Sequence, residues 1–118
     1  MALISRGLLR RLRRRESADP TVAPDRREAR QQTLAHFRQF VATRPAVEGY
    51  IEPATANDPV TLVLIARSGE WTRRRVPDAR AARALGRELQ IPVYDVLKTG
   101  YPPQMRRWNS ANRHRHRT

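Results

Sequence analysis

Val60-Thr61-Leu62-Val63-Leu64-Ile65-Ala66-Arg67-Ser68-Gly69-Glu70-Trp71-Thr72-Arg73-Arg74-Arg75-Val76 is the stretch on which the fold turns. Val60 to Ala66 is almost wholly apolar and rich in β-branched residues, the composition of an inner strand covered on both faces. Arg67-Ser68-Gly69-Glu70 is a tight-turn signal, and Trp71 to Val76 returns as the next strand. Upstream, Val47, Gly49 and Ile51 alternate with Glu48, Tyr50 and Glu52, which describes a half-buried strand. The three together make an antiparallel meander.

Helices flank the meander. Asp25 opens one, with Glu28 three residues on in the spacing of a capping box. Leu34, Phe37 and Val41 form its apolar stripe, helped by Ala29 and Phe40, and Pro45 stops it. Pro77 and Asp78 open another, with Ala81, Ala82, Leu85 and Leu89 on one face and Arg80, Arg83 and Arg87 on the opposite one. Pro92 to Val96 reads as a short edge strand, where proline is tolerated. Lys98 to Pro103 is a turn entering an extended stretch, and beyond Trp108 the chain is polar. The pattern predicts an α+β fold in α-β-β-β-α-β order: a three- to four-stranded, mainly antiparallel sheet packed by two helices. Its expected boundaries are a basic amphipathic arm at 1–15, a linker at 16–24, the α+β domain at 25–103 and a disordered basic tail at 104–118.

The 118 residues carry a formal net charge of +13, with 24 basic side chains against 11 acidic ones. The surplus is concentrated at the ends: residues 1–15 hold six arginines and no acid, and residues 106–118 hold five and no acid. Basic arms of this kind meet polyanions, namely nucleic acid, anionic lipid or an acidic protein. With no cysteine, disulfides and thiolate chemistry are excluded. The longest unbroken apolar run, Leu62 to Ala66, is far short of the ~20 residues of a membrane-spanning helix. The sequence points to a cytoplasmic protein, or a membrane-peripheral one if the first arm is an anchor.

Three candidate surfaces follow. On the third strand, Trp71, Arg73 and Arg75 share a face, Arg74 takes the other, and Arg67 lies across the turn. Such a face can stack a base and hold phosphates; alternatively the arginines pair across the sheet with Glu48 and Glu52. If the central strand separates the two, direct pairing weakens and the arginines stay free. The helical stripe Arg80, Arg83 and Arg87 can track a phosphate backbone, or is simply the solvated face of an amphipathic helix. In the tail, Arg106 and Arg107 beside Trp108 suit phosphate contact and stacking. The expected function is non-enzymatic nucleic-acid binding, RNA ahead of DNA. The alternative is a peripheral membrane-surface or acidic-partner protein held by residues 1–15, with Ile4, Leu8 and Leu12 on one side and arginines including Arg10 and Arg11 on the other.

Enzyme chemistry has little to work with. No Gly-x-Gly-x-x-Gly or Walker loop is present to cradle a dinucleotide or nucleoside triphosphate, and no Ser/His/Asp trio has a usable context. Glu48 with Glu52, or Asp95 with Tyr94 near Lys98, are the only polar groupings near strand ends. His114 and His116 stand among Arg113, Arg115 and Arg117, a poor setting for a cation. No catalytic residue, metal or cofactor is expected.

Gly69-Glu70-Trp71-Thr72-Arg73-Arg74-Arg75-Val76-Pro77, Leu89-Gln90-Ile91-Pro92-Val93-Tyr94-Asp95 and Gly100-Tyr101-Pro102-Pro103-Gln104-Met105-Arg106 together resemble small, mostly uncharacterised proteins of high-GC actinobacteria. The likeness covers about residues 25–110. Some of those proteins carry the bare label oxidoreductase, so the resemblance implies a small redox enzyme as a third possibility. The α-β-β-β-α order is also similar to that of double-stranded-RNA-binding domains, which place a lysine-rich motif at the start of the last helix. Here that start is Pro77-Asp78-Ala79-Arg80-Ala81-Ala82-Arg83, with an acid where those domains need positive charge, and a further strand follows.

Overall fold

The computed structural model describes residues 24–117. The chain forms two compact units, Met1–Gln32 and Thr33–Thr118. Of the first, the described part is the opening of helix α1 (Pro24–Thr43). Pro24 stands at the first helical position, where a missing N–H costs nothing. The amphipathic arm, with Ile4, Leu8, Leu12, Arg10 and Arg11, lies outside the described residues. No described helix is long and apolar enough to cross a membrane.

The second unit is α+β, as the sequence predicts. After α1 come β1 (Glu48–Glu52), β2 (Thr61–Ile65) and β3 (Trp71–Arg75), then α2 (Ala79–Leu89), β4 (Val93–Asp95), α3 (Val96–Thr99) and α4 (Pro103–Arg117). The four strands lie in the order β3-β2-β1-β4. β1, β2 and β3 are the antiparallel meander, with Ile51 opposite Leu62 and Leu62 opposite Arg74. The short fourth strand runs parallel to β1, Tyr50 opposite Tyr94, so the sheet is mixed. A parallel neighbour needs a crossover, which α2 supplies.

Side chains alternate across the sheet. Ile51, Leu62 and Leu64 point to one face and meet Phe37 and Phe40 of α1 and Ala82, Leu85 and Leu89 of α2 in a single buried cluster. Each helix ends as its residues dictate. Asp78 caps α2 by accepting from the Ala81 N–H at 2.8 Å, and Gln90 closes it in the left-handed region at φ 57°. On the opposite face Tyr50, Val63 and Ile65 pack with Met105 of α4 and the partly buried Trp71. β1 is therefore not half-buried as its alternation suggests: Tyr50 is as enclosed as Ile51.

The tail corrects the expected boundaries. Residues 103–117 are helical rather than disordered, and Lys98 and Thr99 end α3, after which Gly100 to Pro102 lead directly into α4 rather than into extended chain. Pro103 again occupies the first helical position. Met105 is buried and Trp108 and Asn112 are half-buried, a spacing of three and four residues that lays one side of α4 on the sheet. The compact unit thus begins at Thr33, inside α1, and includes the tail.

Candidate nucleic-acid interface

β3 carries the predicted arginines to different places. Arg73 is engaged: its Nε and Nη2 donate to Glu52 Oε1 and Oε2 at 2.7 and 2.8 Å, a two-pronged pair. The central strand does separate β1 from β3, as one reading required, yet it does not leave this arginine free. Glu52 faces Thr61 and Thr61 faces Arg75, so Arg73 reaches diagonally over β2, a span its long side chain covers. Glu52 also accepts from the Thr61 hydroxyl at 2.5 Å and from the Tyr101 hydroxyl. Burial pushes the Glu52 carboxyl up, but bonds from Arg73, Thr61 and Tyr101 outweigh it and leave it below the usual carboxylate range. The Arg73 guanidinium lies over the Trp71 ring, 4.8 Å from its centroid.

Arg74 sits on the other face. Its Nη2 is 3.2 Å from His36 Nδ1, and His36 Nε2 is 2.7 Å from the Thr72 hydroxyl. The pattern fits a neutral imidazole that accepts at Nδ1 and donates at Nε2. Burial, then the positive charges of Arg74 and Arg44, hold the His36 pKa below its ordinary value. The unfolded chain therefore takes up a proton at a higher pH than the native one does, and stability falls as pH drops below the unfolded value of about 6.5. Urea midpoints measured at about pH 7.5 and about pH 5.5 should be lower at the acid end, and His36→Gln should flatten the difference. An unchanged slope in that variant would remove His36 from the account.

Arg75 is exposed, as are Arg67, Arg80, Arg83, Arg87, Arg106, Arg107 and Arg113, and none of these ion-pairs with an acid among the described residues. Arg80, Arg83 and Arg87 line the outer side of α2. Arg106, Arg107 and Arg113 line the outer side of α4, a helix without an acidic residue. Five of the acids are engaged within the unit, and Asp58 and Glu88 are exposed. Of the seven in residues 33–118, Glu48 takes the Tyr50 hydroxyl, Glu52 takes Arg73, Glu70 takes Arg44 at 2.5 Å, and Asp78 and Asp95 cap helices.

The tryptophans are structural. Trp71 is half-buried and its Nε1 donates to Asn109 Oδ1 at 2.7 Å, tying β3 to α4. Trp108 is half-buried where α4 passes the turn at Gly69. The most exposed aromatic residues of the described chain are Tyr94 and Tyr101, 38% and 42% exposed. Tyr94 stands 5.4 Å from Tyr50, centroid to centroid, at a tilt of 38°. The sequence named Tyr94 only as a polar group beside Asp95, and Tyr101 not at all as a contact residue. The position of Tyr94 on a proline-marked edge strand was the available signal, since outward rings at an edge have no neighbour to cover them.

Asp78 spends its carboxylate on its own helix start, the place where a double-stranded-RNA-binding domain needs positive charge; the likeness goes no further than element order. No family model, no curated protein and no solved structure matches this chain.

Proposed function

We propose that the protein binds nucleic acid without catalysing a reaction, RNA ahead of DNA, through arginine–phosphate contacts. The observation that carries this reading is α4, a helix without an acidic residue whose outer side presents exposed arginines, while five of the seven acids in residues 33–118 are engaged elsewhere in the unit. α4 contributes Arg106, Arg107 and Arg113, with Asn109 and Ser110 between them as hydrogen-bonding groups. β3 contributes Arg75 on the same face of the sheet as α4, whereas Arg80, Arg83 and Arg87 of α2 lie on the opposite face and form a separate basic surface. Stacking of unpaired bases, the habit of RNA recognition, falls to Tyr94 and Tyr101, because Trp71 and Trp108 hold α4 in place.

Each phosphate neutralised releases counterions, so affinity falls with salt in proportion to the number of contacts. Binding of a short labelled single-stranded RNA by the full chain should weaken steeply between about 50 and about 300 mM salt. Arg106/Arg107/Arg113→Gln should shallow the slope of log K against log salt by about 2, at roughly 0.7 per lost contact. A salt-independent wild type would overturn the proposal. A triple variant with the parent slope would take α4 out of the interface.

A further inference from the structure

β3 is an edge strand, and its outer side has no partner strand among the described residues. The ladder shows which of its groups face outward. Val76 N–H donates to Val60 at 3.0 Å and Ala66 N–H donates to Glu70 at 2.9 Å. Bonded pairs alternate along an antiparallel ladder, so with this register Arg74 and Thr72 turn their backbone groups toward β2. Trp71, Arg73 and Arg75 turn theirs outward. Proteins commonly guard such edges with charge. Here the guards are three consecutive arginines, and their sign selects a partner.

We propose that the outer edge of β3 takes an acidic, extended segment of a partner protein as an added strand. Neighbouring strands match face by face. Arg73 and Arg75 lie on one face and Arg74 on the other, so the matching segment needs consecutive acids rather than alternating ones. Two places beyond the acid facing Arg73, an apolar residue would meet Trp71, which is half-buried and keeps part of its ring in reach. Arg73 is turned back over β2 to Glu52, and Arg74 lends Nη1 to the outward Arg73 carbonyl at 3.3 Å, so the acid facing Arg75 carries most of the charge match and the added strand takes over the Arg74 contact. A second copy of this chain does not fit: β3 against β3 sets arginine beside arginine, and the sequence has no two adjacent acids anywhere. A nucleic acid matches the charge but has no row of amides at strand spacing to pair with the exposed backbone.

The test uses the full chain and a labelled peptide of about nine residues with three consecutive glutamates, a threonine and a valine. Two further peptides carry backbone N-methyl groups on one or the other alternate set of residues, which keeps charge and removes amide donors. One set should lower affinity at least about tenfold and the other should leave it near the parent, because only alternate amides of an added strand face β3. Scrambling the glutamates apart should weaken binding, as should Arg75→Glu, by about tenfold each. Equal binding of both N-methylated peptides and the parent would overturn the proposal, as would displacement of all three alike by a short oligonucleotide, which would make the edge a general polyanion surface. Peptide binding that survives Arg106/Arg107/Arg113→Gln keeps this inference separate from the nucleic-acid reading.

Discussion

Gly69→Ala should detach α4 from the sheet. A Cβ at this position would stand 2.1 Å from the Gln104 carbonyl oxygen, 2.7 Å from its carbon and 2.8 Å from Trp108 Cβ. Two of those atoms are helix backbone and cannot swing aside. Gly69 also holds φ at 94°, a conformation that costs a side-chain-bearing residue roughly 1–3 kcal/mol by itself. The clash and the strain act together, and the helix has only Met105, Trp108, Asn112 and the Trp71–Asn109 bond with which to resist. Both tryptophans border the joint, so the variant should show red-shifted emission, lost helical circular dichroism and a lowered unfolding midpoint. Gly100→Ala is the matched control. Its φ is 70° and its ψ 176°, so an alanine pays a backbone strain of roughly 1–3 kcal/mol like that at Gly69, yet nothing lies within 4 Å of the added carbon, so it should keep its emission. Indistinguishable spectra for the two variants would mean that α4 does not seat on the turn.

Phe37→Ala should come close to unfolding the compact unit. Phe37 is fully buried, among Leu62, Leu64 and Leu85, where α1 meets the sheet. Removing a buried phenyl ring costs about 3–5 kcal/mol in lost transfer energy and residual cavity. A unit the length of Thr33–Thr118 has a total stability of roughly 4–13 kcal/mol. The loss is therefore roughly a quarter to the whole of what holds the fold, and urea unfolding should shift accordingly. Phe37→Leu, which refills most of the space, should lose far less, about 1–1.5 kcal/mol. A Phe37→Ala midpoint within error of the parent would contradict the burial of this ring.

What the sequence made legible was local. The apolar run at Val60–Ala66, the Gly69 turn, the Asp78 cap and the two-sided pattern of α2 each state their structure within a few residues, and each stands as read. What it hid was set by distant partners. The pairing of β4 with β1 depends on contact between Gly49 and Val93, which no local pattern records. α4 was missed because its own sequence offers only Met105 and Trp108 as apolar contacts, while the reason it docks is a missing side chain at Gly69. The candidate surface divides the same way. The exposure of Arg80, Arg83 and Arg87 could be read from helical periodicity alone. Whether Arg73 was free depended on a side chain spanning a whole strand to reach Glu52, and alternation is blind to side-chain length.

The placement of β4 also dictates an order of events as the chain emerges during synthesis. β1, β2 and β3 are contiguous and can zip together at once, but the far side of β1 waits for residues 93–95, more than forty positions later. Until then the nascent meander has two unpaired edges. The one at β3 is shielded by the mutual repulsion of its arginines, and the one at β1 has only Glu48 and Glu52, which Tyr50 and Arg73 engage. Chains interrupted between β3 and β4 are thus the species most exposed to clumping, and α2 acts as the tether that brings the late strand home in time.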